Sequence, residues 1–359
     1  MKKIFALSTL SILATLALSS CSKVSTDSPV PEEAQQEISF QTAYYEGQTK
    51  ADEDSHKHLE LETPFFVRAY YTGDTAWAGA TLANSVLHMK DVEISKSGDV
   101  WKATTGTYYW PKAGKLSFFG YTGWSGTLAW GTAKNALFSS VETITNTSDP
   151  MVADLATDLS SNPTTATHFV PGVPMLFHHT AAKIAFQAKT KDGADLGAGE
   201  GLKYVVKINS LSTSDMYTKG TYTLDATNAT VSGAWSNPAA AQPLSYLSSA
   251  QTLTTTAAAL GTAGQVTVLP QGVADIKAIV NYTIEVYKKD GYTESSTPMA
   301  TKAFENVEVS LATTSITAWE QNKIYTYTLI ISPVDGEITF DPAVVNWVAG
   351  GSADVNVNK

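Results

Sequence analysis

Residues 37–45 read Glu-Ile-Ser-Phe-Gln-Thr-Ala-Tyr-Tyr, and this stretch decides how the rest of the chain is interpreted. Every second residue from Ile38 to Tyr44 falls on one face of an extended chain, with Ser39, Gln41 and Ala43 on the other, which is typical of a β-strand with one buried face. The face predicted to be buried carries Ile38, Phe40, Thr42 and Tyr44. We therefore expect the folded part of the chain to begin with a strand that enters a hydrophobic core.

The segment after this strand is polar, contains a glycine and continues into the acidic run 52–54. Its one basic residue before that run is Lys50, and trypsin-like proteases cleave after basic residues in exposed segments of this kind. Cleavage between Lys50 and Ala51 would make the first strand removable. From the residues alone, the alternative is equally open that this strand is a permanent part of its own sheet.

The first 20 residues have the pattern of a targeting segment. Lys2 and Lys3 precede an apolar run over 4–18, and the sequence Leu-Ser-Ser-Cys at 18–21 resembles a bacterial lipobox. We predict a signal peptide over 1–20 and lipidation of Cys21, the one cysteine of the chain, which would anchor the protein stably in a membrane. The alternative is an ordinary leader whose removal leaves a stray cysteine. The polar, proline-containing residues 21–36 are predicted to be a flexible tether.

Composition favours a secreted β-rich protein. Hydrophobic residues make up 43% of the 359 residues, charged residues only 16%, and Thr and Ser are abundant. The formal charge of −10 becomes −12 when Lys2 and Lys3 leave with the signal peptide. Such a surface repels phosphate backbones, so we expect no nucleic acid partner.

Alternating strand patterns recur to the end of the chain and predict an all-β fold of sandwiches. Residues 64–71 and 176–188 are predicted strands, and Lys96 to Asp99 is a predicted hairpin turn. Three prolines in 160–174 suggest a boundary, which divides the fold into an N-terminal sandwich over 37–172 and a C-terminal sandwich over 173–359. The Ala/Thr/Ser-rich residues 226–264 lack a clear period and are predicted to be a surface loop, with room for one short helix.

The end of the chain also alternates. Ala353, Val355 and Val357 share one face of a predicted terminal strand. An apolar face on a terminal strand must be covered, either within its own sheet or by another chain. These residues are therefore candidates for a strand that is donated to a neighbouring subunit.

By order and spacing, several segments together resemble the Bacteroidales-type fimbrillins, the type V pilins, over nearly the whole chain. The matching segments are the lipobox at Cys21, Ile38-Ser39-Phe40 ahead of Thr49-Lys50-Ala51, Tyr108-Tyr109-Trp110-Pro111, Leu116-Ser117-Phe118-Phe119, Met151-Val152-Ala153, residues 179–186, Trp319 with residues 323–329, Ile338-Thr339-Phe340, and Trp347.

The resemblance implies two tandem transthyretin-like β-sandwich domains and a lipoprotein precursor carried to the outer membrane. It further implies that a trypsin-like protease removes the first strand and that a strand from another fimbrial subunit fills the resulting groove. Lys50 stands where the family usually has arginine. The function expected on this basis is a structural fimbrial subunit that polymerises by strand exchange and mediates adhesion.

No combination of residues predicts a catalytic, metal or cofactor site, so we do not expect an enzyme. His56 and His58 share a face beside Asp52 and Asp54 and could form a weak metal site, but a charged, solvated loop is the favoured interpretation. Gly123 to Gly126 resembles half of a nucleophile elbow and is better interpreted as a turn. The alternative function is a monomeric surface lipoprotein that binds glycans through some of its 8 tryptophans and 16 tyrosines.

Overall fold

Segments rich in β-branched and aromatic residues form β-strands throughout the computed structural model. The structure describes residues 35–42, 61, 63–98, 100–162, 172–191, 201–228, 232–261, 264–334 and 336–346. In this part of the chain no helix is long and apolar enough to cross a membrane. The described residues cluster as one compact unit that begins at Gln35.

The strands up to residue 179 are β1 Phe40–Thr42, β2 Phe65–Gly73, β3 Val86–Ser97, β4 Val100–Ala103, β5 Lys115–Thr122, β6 Ala129–Ala133, β7 Ala136–Thr143, β8 Met151–Ala153, β9 Ala156–Leu159, β10 Val173–Met175 and β11 Phe177–His179. A single 3-10 turn among the described residues, Leu82–Asn84, precedes β3.

The later strands are β12 Ala182–Thr190, β13 Leu202–Thr213, β14 Met216–Asp225, β15 Ser232–Gln242, β16 Ser245–Leu247, β17 Gln251–Thr252, β18 Ala258–Ala259, β19 Gln265–Val268, β20 Gln271–Gly272, β21 Lys277–Lys288, β22 Ala300–Ser310, β23 Ala318–Trp319, β24 Lys323–Ile331 and β25 Ile338–Asn346. The short strands β20 and β23 pair with each other.

The largest sheet has the order β10-β1-β4-β3-β2-β5-β8-β11, and β9 also pairs with β5. The predicted hairpin turn is confirmed, because β3 and β4 pair from Ile94 with Ala103 to Ser97 with Val100. Strands β10 and β11 are separated by Leu176 alone, yet they lie at opposite ends of this order. One short segment therefore provides both edge strands of the sheet, and β1 lies inside the sheet rather than at an edge.

Side chains from the strands of this sheet, together with Ile38, Leu61 and Trp110 from adjoining segments, form what we call the N-terminal core. Its residues are Ile38, Phe40, Leu61, Phe65, Val67, Ala69, Met89, Val92, Ile94, Trp101, Trp110, Leu116, Phe118, Met151, Ala153, Ala156, Val173, Met175 and Phe177. Residues that are far apart in sequence thus share one core, and the first strand contributes to it.

A second sheet, β15-β14-β7-β6, combines strands from before and after residue 172. Beneath it lies a bridging core formed by Tyr70, Trp77, Phe119, Tyr121, Leu137, Phe138, Val152, Leu155, Tyr222, Leu224 and Ala226. The division of the fold at residue 172 stays a prediction, and the pairing of β7 with β14 shows that strands on its two sides form one sheet.

The C-terminal core lies between the sheets β18-β12-β24-β25 and β16-β13-β21-β22. Buried side chains from the first sheet, such as Phe186 and Tyr327, meet buried side chains from the second, such as Ile208 and Tyr282. Their period-2 burial matches the sequence pattern. The predicted all-β fold is confirmed.

Two local predictions were wrong. Residues 226–264 were expected to be a surface loop, whereas they contain β15 to β18. The expected single strand 176–188 is broken into β11 and β12, which belong to different sheets. The break occurs because Thr180 is held from two sides: its N–H and hydroxyl bind the Pro150 carbonyl at 2.9 and 2.8 Å, and its carbonyl accepts from the Trp235 indole at 2.6 Å.

Candidate functional site

The candidate site is the groove that holds the first strand. Strand β1 runs antiparallel to β4, with Phe40 opposite Trp101, and parallel to β10, with Phe40 opposite Val173 and Thr42 opposite Met175. It is the first strand of the described chain and nevertheless has a neighbour on both sides. Its loss would therefore expose two sets of main-chain groups, one on β4 and one on β10.

Phe40 of this strand and Ile38 just before it belong to the N-terminal core. Ile38 and Phe40 are 2% and 1% exposed. The Phe40 ring lies edge-to-face against Phe118 at 5.7 Å and against Phe65 at 6.2 Å between ring centroids. An empty groove would leave these aromatic faces in water.

The main chain before β1 is also paired. The Ile38 N–H donates to the Tyr108 carbonyl at 2.8 Å, and the Trp110 N–H donates to the Gln36 carbonyl at 3.0 Å. On the other side, the Val173 N–H donates to the Ser39 carbonyl at 2.8 Å. Consecutive residues of an extended chain direct their polar groups to alternate sides, and this pattern continues from Gln36 into β1.

Asn162 supplies hydrogen bonds that no neighbouring strand provides. Its side chain is almost fully buried, its Nδ2 donates to the Glu37 carbonyl at 2.9 Å, and its Oδ1 accepts from the Ser39 N–H at 3.3 Å. The same Oδ1 accepts from the Trp110 indole N–H at 2.8 Å. Both groups facing Oδ1 are pure donors and the group facing Nδ2 is a pure acceptor, so only one orientation of the amide satisfies all three.

Sequence reasoning missed Asn162 because nothing local marks it. The residue lies 123 positions from Ser39 in a proline-containing segment that was interpreted only as a boundary. At the rim of the groove, Lys102 and Glu37 form a half-exposed ion pair at 2.9 Å. A pair with this exposure adds at most about 1 kcal/mol, so the buried amide matters more for holding the strand.

Of the other residues predicted for the site, only Thr42 lies among the described residues. Thr42 is half-buried at the end of β1. Cys21, Tyr44, Lys50 and Ala51, and the candidate donor residues Ala353, Val355 and Val357, lie outside the described residues. Cleavage, lipidation and donation thus stay predictions.

The two adjacent histidines point to opposite sides of β11. His178 lies half-buried at 3.1 Å from Asp154, and buried His179 binds Asp149 through Nδ1 at 2.5 Å. Burial lowers the pKa of His179, and Lys183 and His178 also lower it, while Asp149 opposes the shift. Within the described residues no cluster of three or more His, Cys, Asp or Glu side chains could hold a metal ion.

The turn that resembled half of a nucleophile elbow has a structural role. The Ser125 hydroxyl donates to the buried Glu142 carboxylate at 2.5 Å, and the Gly126 N–H donates to the same group at 2.6 Å. The Ser125 hydroxyl is thus used in a hydrogen bond that fixes this turn to Glu142.

The tryptophans described by the structure are mostly core residues rather than surface platforms. Trp77, Trp101, Trp110 and Trp319 are buried. The remaining three, Trp124, Trp130 and Trp235, pack against the bridging core. Rings committed to packing in this way give no particular support to the glycan-binding alternative.

A family model described as fimbrillin-like matches residues 49–347. Among solved structures, a fimbrial protein from Bacteroides vulgatus is 19% identical, with a TM-score of 0.56, over 87% of this chain and 99% of that one. A candidate cell adhesion protein from Bacteroides uniformis is 16% identical, with a TM-score of 0.47, over 89% and 100% of the two chains. No curated protein matches the chain.

Proposed function

Because the chain belongs to the fimbrillin-like family, we propose that it is a structural subunit of a surface fimbrium that mediates adhesion, rather than an enzyme. The observation that carries this proposal furthest is the position of β1. The strand at the start of the fold is an interior strand, and it is held by two buried side chains, Phe40 in the strand and Ile38 just before it.

The maturation we propose starts with removal of residues 1–20 and lipidation of Cys21, so that the precursor is held at the outer membrane by its tether. A trypsin-like protease then cuts between Lys50 and Ala51. After the cut, β1 is connected to the fold only by non-covalent contacts, and the rest of the fold lies after the cut.

Loss of the strand makes the binding of a strand from another subunit energetically favourable. Burial of Ile38 and Phe40 contributes roughly 1.5–3 kcal/mol each, and this stabilisation disappears when the strand leaves. The emptied groove exposes the N-terminal core and the polar edges of β4 and β10. A strand from another subunit restores both kinds of contact, and the terminal segment with Ala353, Val355 and Val357 is our candidate donor.

The proposal is tested in cells that produce the full chain. A Lys50→Gln variant should remain uncut and lipidated at the membrane, and electron microscopy should show no fimbriae. The matched control is Lys57→Gln, a charge change seven residues further on that leaves Lys50 intact and should leave fimbriae in place. Normal fimbriae built from uncut Lys50→Gln chains would contradict the proposed maturation.

A further inference from the structure

Asn162 occupies the place of a main-chain peptide group beside the first strand. Strand β10 pairs with β1 only from Val173 onward, opposite Phe40. For the residues just before, the groups on this side are the Glu37 carbonyl and the Ser39 N–H, and both bind the Asn162 amide. The side chain therefore continues the line of hydrogen bonds that β10 begins.

From this geometry we infer that Asn162, fixed by Trp110, is the residue by which the groove recognises the main chain of whatever strand occupies it. The inference rests on the proposed strand exchange and adds a requirement for the incoming strand. An amide presents one donor and one acceptor side by side, as a peptide group does, so it pairs with an extended chain of any sequence.

The partner class follows from these contacts. The groove takes an extended segment of another subunit that has a free N–H where Ser39 now lies and apolar side chains where Ile38 and Phe40 lie. A segment with proline at the Ser39 position lacks the N–H that Asn162 accepts. The pockets that hold Ile38 and Phe40 select segments with apolar side chains there. The Asn162 amide, in contrast, excludes segments that have no N–H at the Ser39 position.

The role of Trp110 is to hold the Asn162 amide in place when the groove is empty. The indole N–H keeps one hydrogen bond on Oδ1 when the strand is absent, so the amide keeps its orientation. A group held in its binding orientation loses less conformational freedom when the next strand arrives. Trp110 is thus a positioning residue for Asn162.

The test uses the chain from Ser22 onward, which contains the whole described fold, after cleavage of the segment following β1. A fluorescent peptide with the sequence of residues 35–45 is exchanged into the groove. Unlabelled peptides compete with it, either unmodified or N-methylated at Ser39. In the wild-type chain the N-methylated peptide should compete at least about tenfold more weakly, because it cannot donate to Asn162.

The decisive comparison is made in the Asn162→Ala chain, where this difference between the peptides should vanish. Asn281→Ala is the matched control, since Asn281 also uses its amide for two hydrogen bonds, to Ser210 and from the Asn306 N–H, but on β21 of a different sheet. It should keep the difference. An undiminished difference in Asn162→Ala, or equal competition in the wild-type chain, would overturn the inference.

Failure of strand exchange is distinguishable from failure of this inference. If the labelled peptide enters no cut chain, the exchange mechanism is refuted. The uncut chain then decides the role of Asn162 through hydrogen exchange at the Ser39 amide, which should lose at least about tenfold protection in Asn162→Ala while Val173 stays protected. Equal Ser39 protection in the wild-type and variant chains would overturn it.

Discussion

The main chain of Phe40 lies directly against Gly172: a Cβ at residue 172 would stand 2.8 Å from the Phe40 carbonyl carbon. The three atoms nearest to that position all belong to the Phe40 main chain. Residue 172 therefore lies directly against the first strand, and a side chain introduced at this position tests whether the groove is occupied.

A Gly172→Ala substitution should destabilise the uncut chain by about 1–3 kcal/mol, because the added methyl group collides with main-chain atoms that can yield only if the strand shifts. Urea unfolding measures this loss. The control is Gly272→Ala, where nothing lies within 4 Å of the added atom. Once the strand has been cut and released, the two variants should be equally stable, and a persistent penalty at residue 172 would contradict this account.

Phe40→Ala should cost about 3–5 kcal/mol, because it removes a fully buried ring from between Phe65 and Phe118. The matched control is Phe66→Ala on β2, where the ring is 38% exposed and stacks on Tyr121. Its cost should be smaller by about 2 kcal/mol or more in the same urea titration. Equal costs would mean that β1 is not an integral part of the N-terminal core.

Glu142→Gln should destabilise the chain by about 2 kcal/mol or more although its shape is unchanged. The carboxylate accepts from the Ser125 and Gly126 N–H groups and from two serine hydroxyls, of Ser125 and Ser140. An amide nitrogen cannot accept, so at least one donor is left unpaired. Glu308→Gln is the control, since Glu308 forms an exposed pair with Lys277 that is worth at most about 1 kcal/mol. Thermal unfolding compares the two, and similar melting temperatures would refute the role given to Glu142.

His179 should make the fold less stable in mild acid. Burial lowers the pKa of its imidazole from 6.5 in the folded chain, so the unfolded chain binds the proton more readily. The stabilisation is complete above about pH 6.5 and is lost progressively as the pH falls through the interval between the unfolded and folded pKa values. A His179→Gln variant should lack this part of the pH dependence in urea titrations between pH 7 and pH 5. His88→Gln, which retains His179, should keep it, and identical profiles for all three chains would contradict the assignment.

The local alternation that starts at Ile38 predicts the burial of Ile38 and Phe40, which depends on neighbouring residues of one strand. Ser39, from the face predicted to be exposed, is buried as well, and Thr42 is only half-buried. The sequence could not predict what holds the strand's main chain. Asn162, Gly172 and Val173 approach β1 from more than a hundred residues away, and their contacts depend on how β10 and β11 form the two edges of one sheet. Pairings of this kind leave no local period in the sequence.

The missed strand β15 has a related explanation. Most of its described side chains are exposed, because it pairs with β14 at the edge of its sheet. An edge strand exposed on both faces needs no apolar alternation, so its Ala- and Ser-rich sequence resembles that of a loop. Hydrogen bonds to β14, from Met216 opposite Gln242 to Asp225 opposite Ser232, define this strand instead.

The central claim is that the first strand is removable and that its removal allows subunits to join. The most direct test is the intact mass of the chain from Ser22 onward, before and after brief trypsin treatment, with size-exclusion chromatography alongside. Arg68 is buried and paired with Asp91, so the folded chain should resist cleavage there. The account predicts one early cut after Lys50, departure of the fragment that ends at Lys50, and growth into oligomers. A chain that resists cleavage at Lys50, or that is cut there and stays monomeric, would contradict it.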